Sequence, residues 1–295
     1  VWSTEEFTKI LVGDGPAGGL WLSRTGFALA CLIKIAIEFK REYVGYYEPT
    51  TYLYFRLRAR HLKHRQRMPT AIHYRIFIIA RLAFSLMLLL GVIPRISAAG
   101  LALCFAFEGF IHFKFHVNFF TLLACCFIFA PSLPPLWEPF THLVEGGPQS
   151  AWQVIASAHG SHFCRSAVAL TISALYIGGV YRKANSSFSS GTVVVSVLRY
   201  TLAEESRRHH FDGWYPAPFR SWVSKVEPGD RILRVLMTSV LALEAVLPVA
   251  VLTPALWPYA LAVGLIMHAA FTFLFPGTLT AFSIATVSTY FCFMP

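Results

Sequence analysis

The chain has 295 residues, 56% of them apolar and only 14% charged, with a mean hydropathy of +0.55. A soluble domain carries about 25% charged residues, so the composition excludes an ordinary soluble globule as well as a disordered or collagen-like chain. The apolar runs are long rather than alternating, which also excludes a lipid-facing β-barrel.

The remaining fold class is all-α: a polytopic integral membrane helical bundle in which residues 1–295 form a single transmembrane domain. The chain opens on Val1, as expected after trimming or removal of a transit or signal segment. GDGPAGG at 13–19 has glycine spacing like a dinucleotide fingerprint. With no strand before it and no βαβ unit after it, it reads as a flexible turn leading into the first span. A spanning helix needs about 20 mainly apolar residues. Spans are expected near 20–39, 76–93, 97–113, 117–131, 152–181, 233–252, 255–274 and 278–294, giving seven or eight. All six cysteines fall within them and read as small buried hydrophobes.

Charge placement orients the bundle. The 40–75 connection and the 182–234 segment hold most of the Lys and Arg, whereas 131–151 has neither and carries Glu138 and Glu145. By the positive-inside rule, the two basic regions share a side, facing matrix, stroma or cytoplasm. Residues 52–67, YLYFRLRARHLKHRQR, read as an interfacial basic helix. Arg56, Arg58, Arg60, Lys63, Arg65 and Arg67 would lie at anionic headgroups, each worth about 1 kcal/mol. This juxtamembrane position favours lipid or an acidic partner subunit over nucleic acid. Segment 184–232 reads as a structured extramembrane loop, with Trp214, Tyr215, Phe219 and Trp222 at the interface.

Ionisable groups inside a membrane are expensive and mark sites or helix-to-helix ties. Glu108, His112 and His116 recur every four residues and would share one helical face. Glu244 sits in the run VLALEAVLPVAVL and needs a partner there, with Arg81 and Arg165 as the candidates. His268 lies in another apolar span. No metal site is expected.

Four stretches are similar to a known family: FKFHVNFFTLLACCFIF, ALYIGGVYRKANSSFSSG, LALEAVLPVAVL and MHAAFTFLFPGTLTAFSIATVSTYF. In that order they resemble the transmembrane domain of the vitamin K-dependent gamma-carboxylases and their bacterial relatives, the HTTM proteins. The resemblance covers about residues 70–294. It implies a histidine at His116 and a basic residue acting on a quinol. The family's lysine position falls on Arg182, with Lys183 beside it. Arginine stays protonated and is no general base.

Two readings stay open. In the first, the chain is a non-catalytic accessory or structural subunit of a larger respiratory or photosynthetic membrane assembly, such as one in a mitochondrial inner membrane. Its partners would be lipids and other integral membrane subunits, with no cofactor required and an anionic lipid such as cardiolipin at the basic loops. In the second, it is a gamma-carboxylase-related membrane enzyme that binds a quinone and acts through His116, Lys183, Glu244 and His268.

Overall fold

The computed structural model describes residues 14–16, 18–47, 58, 71–112, 115–130, 133–157, 159–184, 186–208 and 214–294. Among these are eleven α-helices, one two-stranded antiparallel ladder and a short 3-10 turn. Five helical segments are long and apolar enough to cross a membrane: Gly18–Ile37, Ile72–Leu90, His162–Ala184, Arg231–Leu252 and Trp257–Leu274. This is the pattern of a polytopic membrane helical protein. Two further apolar segments, Val117–Ile128 and Leu279–Phe293, are shorter. The described residues divide into two compact units, 1–172 with 277–295, and 173–276.

The first unit begins with β1 (Asp14–Pro16) and α1 (Gly18–Tyr47). It continues through α2 (Ala71–Leu90), α3 (Pro94–His112) and α4 (Phe115–Ile128). Then follow α5 (Trp137–Ala156), β2 (His159–Ser161) and the start of α6 (His162–Ala184). GDGPAGG is not a flexible turn throughout, because Asp14–Pro16 pairs with His159–Ser161. The span expected at 152–181 also divides differently: α5 occupies most of the expected 131–151 loop, and α6 begins only at His162. Gly147, at φ +78°, followed by Pro148, kinks α5. The turn from α2 to α3 is tight. Gly91 has φ +74° and Ile93 φ +43°, a backbone region costly for a β-branched residue. The Ser97 hydroxyl holds this turn by donating to Val92 O (2.8 Å) and Ile93 O (3.1 Å).

Phenylalanines fill the interior of this unit. Phe27 lies 5.4 Å from Phe127 and 5.9 Å from Phe120, and Phe105 lies 5.0 Å from Phe120, between ring centroids. A second cluster joins Ile35, Tyr74, Phe77, Ile78 and Cys104. The chain's last helix, α11 (Pro276–Tyr290), returns to this unit, and its Ser288 and the 3-10 turn after it (Phe291–Phe293) come close to α1. A Cβ on Gly26 would stand 2.4 Å from Ser288 Cβ, and one on Gly19 would stand 1.9 Å from Phe291 O. Small residues at such crossings let backbones approach in lipid, where there is little hydrophobic drive between helices.

The second unit holds the rest of α6, then α7 (Thr192–Arg208), α8 (Ala217–Lys225), α9 (Arg231–Leu252) and α10 (Trp257–Leu274). Helices α7 and α8 account for much of the expected 184–232 loop. Val194, Val195, Leu198, Val223, Val226 and Leu233 form their shared core. Arg199 donates to Val226 O at 2.8 Å. Tyr215 is buried and donates to Leu274 O at 2.7 Å, while Trp214 donates to Phe273 O at 3.0 Å. These aromatic residues therefore dock the loop onto the end of α10. Asp230 caps α9 by accepting from Ile232 N at 2.8 Å, which satisfies an otherwise orphaned N–H.

Both units expose large apolar side chains and bury charged or polar ones among their apolar cores. Ile72, Ile76 and Ile79 on α2 and Val246 and Val249 on α9 are exposed, while Arg24, Lys34, Arg81, Glu108, Glu244 and His268 are buried. This inversion suits lipid as the surrounding solvent, since polar groups there must be satisfied internally. Five of the six cysteines are buried, Cys125 is half-buried, and all six are free thiols.

Candidate functional site

The second unit gathers the strongest constellation. Tyr176, Gly179 and Lys183 recur at i, i+3 and i+7 on α6, so they form one stripe. The Lys183 ammonium bonds Glu244 Oε1 on α9. Tyr176 Oη lies 3.0 Å from His268 Nε2 on α10. Phe271, one turn beyond His268, links the two pairs. Its ring centroid is 5.5 Å from Lys183 Nζ and 5.6 Å from the His268 ring. Phe188 covers Lys183 from another side at 5.0 Å.

Glu244 is 5% exposed. Its Oε2 atom accepts no hydrogen bond among the described residues. It faces Gly179, where a Cβ would stand at 3.7 Å. One carboxylate oxygen is thus neutralised by an ammonium, and the other is an acceptor without a partner among the described residues. Such a group can accept a hydrogen bond from a hydroxyl or water. The Lys183 side chain, 28% exposed, forms the rim.

The structure therefore brings together three of the four residues expected to act jointly: Lys183, Glu244 and His268. The side chain of His116, on α4, lies outside the described residues. Arg182 is exposed on α6, one helical step from Lys183. The expected partners of Glu244 are corrected: the carboxylate pairs with Lys183, while Arg81 pairs with Glu108. Sequence reasoning missed Tyr176, Gly179 and Phe271. Their spacing from Lys183 and His268 was the available signal.

The first unit holds a buried charge cluster. The Glu108 carboxylate on α3 binds Lys34 Nζ of α1 at 2.9 Å and Arg81 Nη1 of α2 at 2.6 Å. All three side chains are at most 1% exposed. The Arg81 guanidinium lies 5.2 Å from the Phe77 ring centroid and 5.8 Å from that of Phe105. Lys34 lies 5.9 Å from that of Phe120. Glu108 thus laces three helices together. The side chains of His112 and His116, expected on its stripe, lie outside the described residues. Lys34 was missed, although a lysine inside CLIKIAI was itself a signal.

Of the expected lipid contacts, Arg58 is exposed, and Arg56, Arg60, Lys63, Arg65 and Arg67 lie outside the described residues. Among the described residues, no three His, Cys, Asp or Glu side chains are grouped to hold a metal. Compared with family models, curated proteins and solved structures, the chain finds no match.

Proposed function

We propose that this chain is a non-catalytic helical subunit of a larger membrane assembly. The observation that carries the reading is how the ionisable groups buried in the apolar helices are used. Lys34, Arg81 and Glu108 tie α1, α2 and α3, and Lys183 and Glu244 tie α6 to α9. An ammonium engaged by a carboxylate is a brace rather than a free base. Removing one partner of such a pair costs far more than the pair contributes, which favours charges kept for alignment. Extraction from the native membrane in mild detergent tests the reading. Co-migration with other integral membrane chains is expected, and a lone particle of this chain's own mass overturns it.

A second reading rests on the open oxygen of Glu244. As a gamma-carboxylase-like enzyme, the chain would place a quinol hydroxyl on Glu244 Oε2, with Lys183 and the Tyr176–His268 pair around it. A bulky side chain at Gly179 would occupy the space beside that oxygen. Quinol-dependent turnover in the wild type that is lost in Gly179→Val and Glu244→Gln would favour this reading. Equal background turnover in all three would remove it.

A further inference from the structure

Both ends of α5 are tied to residues that terminate candidate spans. At its start, the Leu136 N–H donates to Leu90 O at 3.3 Å, and Leu90 is the last residue of the span Ile72–Leu90. At its finish, α5 meets Gly18, the first residue of the span Gly18–Ile37. A Cβ there would stand 3.1 Å from Ile155 O. Consecutive spans run in opposite directions, so the start of α1 and the end of α2 lie on one side of the bilayer. The ladder of β1 with β2 ties the chain just before Gly18 to the chain just before His162, where another span begins. A helix with both ends level with span ends on the same side lies along that side.

The side chains of α5 fit that placement. Trp137, Phe140, Leu143 and Val144 fall in one sector of its first half and are 52%, 63%, 42% and 72% exposed. Glu138, Thr141, His142 and Glu145 fill the opposite sector and are also exposed. Four large apolar side chains clustered in water would form an unusual patch. Between α5 and the ends of α1 and α2 lies a groove of about 490 Å³, lined by apolar side chains including Trp21, Leu90, Trp137 and Phe140. Arg24 and Trp21 of α1 hold the segment leading into α5, donating to Pro134 O at 2.8 and 2.7 Å.

We propose that α5 is an interfacial helix lying in the headgroup–acyl boundary, opposite the side on which α1 ends and α2 begins. Trp137, Phe140 and Val144 sit among acyl chains, Glu138 and Glu145 face water, and phospholipid tails fill the groove. Interfacial helices of this kind bind through buried apolar area plus attraction to anionic lipid. Residues 137–156 contain no Lys or Arg, so α5 uses the first contribution alone and suits zwitterionic phospholipid.

The full chain, reconstituted in phosphatidylcholine brominated on its acyl chains, tests this. Trp137→Phe should remove part of the fluorescence that bromine quenches and leave iodide quenching unchanged. Loss of iodide quenching instead would place α5 in water and overturn the proposal. Shielding of Trp137 from both quenchers would overturn it in favour of a protein contact. Spin labels at positions 144 and 145, on a cysteine-free background, provide a second measurement. Position 144 should be reached by oxygen and position 145 by a water-soluble nickel chelate; chelate access at both overturns the proposal. Adding phosphatidylglycerol should not strengthen bromine quenching, and a requirement for it would overturn the zwitterionic assignment.

Discussion

Individual charges decide how this fold tolerates substitution. Glu108 meets two cations at once, so Glu108→Leu leaves Lys34 and Arg81 without the carboxylate both contact. Breaking a buried ion pair from one side costs about 3–5 kcal/mol, and thermal unfolding in detergent should show a loss of that order. The triple replacement Lys34→Met, Arg81→Met, Glu108→Leu should recover most of it, because no charge then remains to be desolvated. At the other brace, Lys183→Met strands the Glu244 carboxylate, whereas Glu244→Gln keeps a hydrogen-bonding group beside Lys183. The lysine variant should therefore melt lower than the glutamine variant. The presence of Glu108 and Glu244 at special positions was legible in the sequence, because a carboxylate in an apolar run demands an explanation. Their partners were not. Lys34 is 74 residues from Glu108 and Lys183 is 61 from Glu244, and no local period encodes contacts at that distance.

At the scale of elements, close approach matters as much as charge. The crossing of α1 and α11 rests on Gly26 lying against Ser288. Gly26→Ala pushes a methyl group into the serine Cβ, and overpacking of this sort costs about 1–3 kcal/mol. Adding Ser288→Gly should restore the melting temperature, since the contact is with Cβ itself, whereas Ser288→Ala should not. Arg24 offers a second test. It is fully buried and donates to Leu133 O and Pro134 O. Hydrogen bonds to charged groups contribute about 1.5–3 kcal/mol, so Arg24→Ala should destabilise by that order and loosen the segment ahead of α5. Helix α5 itself was hard to read in the sequence. Pro139, Gly146, Gly147 and Pro148 are loop residues by composition, and the apolar sector at 137–144 is too short to resemble a span. Tertiary contacts at both its ends make it a helix. The longer runs at 231–252 and 257–274 were legible because an uninterrupted apolar stretch has few other places to go.

For the molecule as a whole, sidedness is the coarsest and most testable property. Within the first unit, Arg58 lies in the connection between α1 and α2, while Glu145 lies on α5. Arg58→Cys and Glu145→Cys should be labelled by an impermeant maleimide from opposite faces of a sealed vesicle. Labelling of both from one face would contradict the antiparallel arrangement of α1 and α2. The one-sided charge of the connections is the sequence signal behind this expected layout, and the all-helical class followed from composition. The strand pair did not, because three residues beside a glycine-rich stretch carry no alternation. That small ladder shapes how the protein is made. Roughly 145 residues separate its two strands, and ribosomes add about 5–20 residues per second. The nascent β1 stretch therefore waits about 7–30 s for its mate, while the five helices α1 to α5 are synthesised. Slower elongation would lengthen this unclasped interval, and a protease present only during translation would cut there more often than after release.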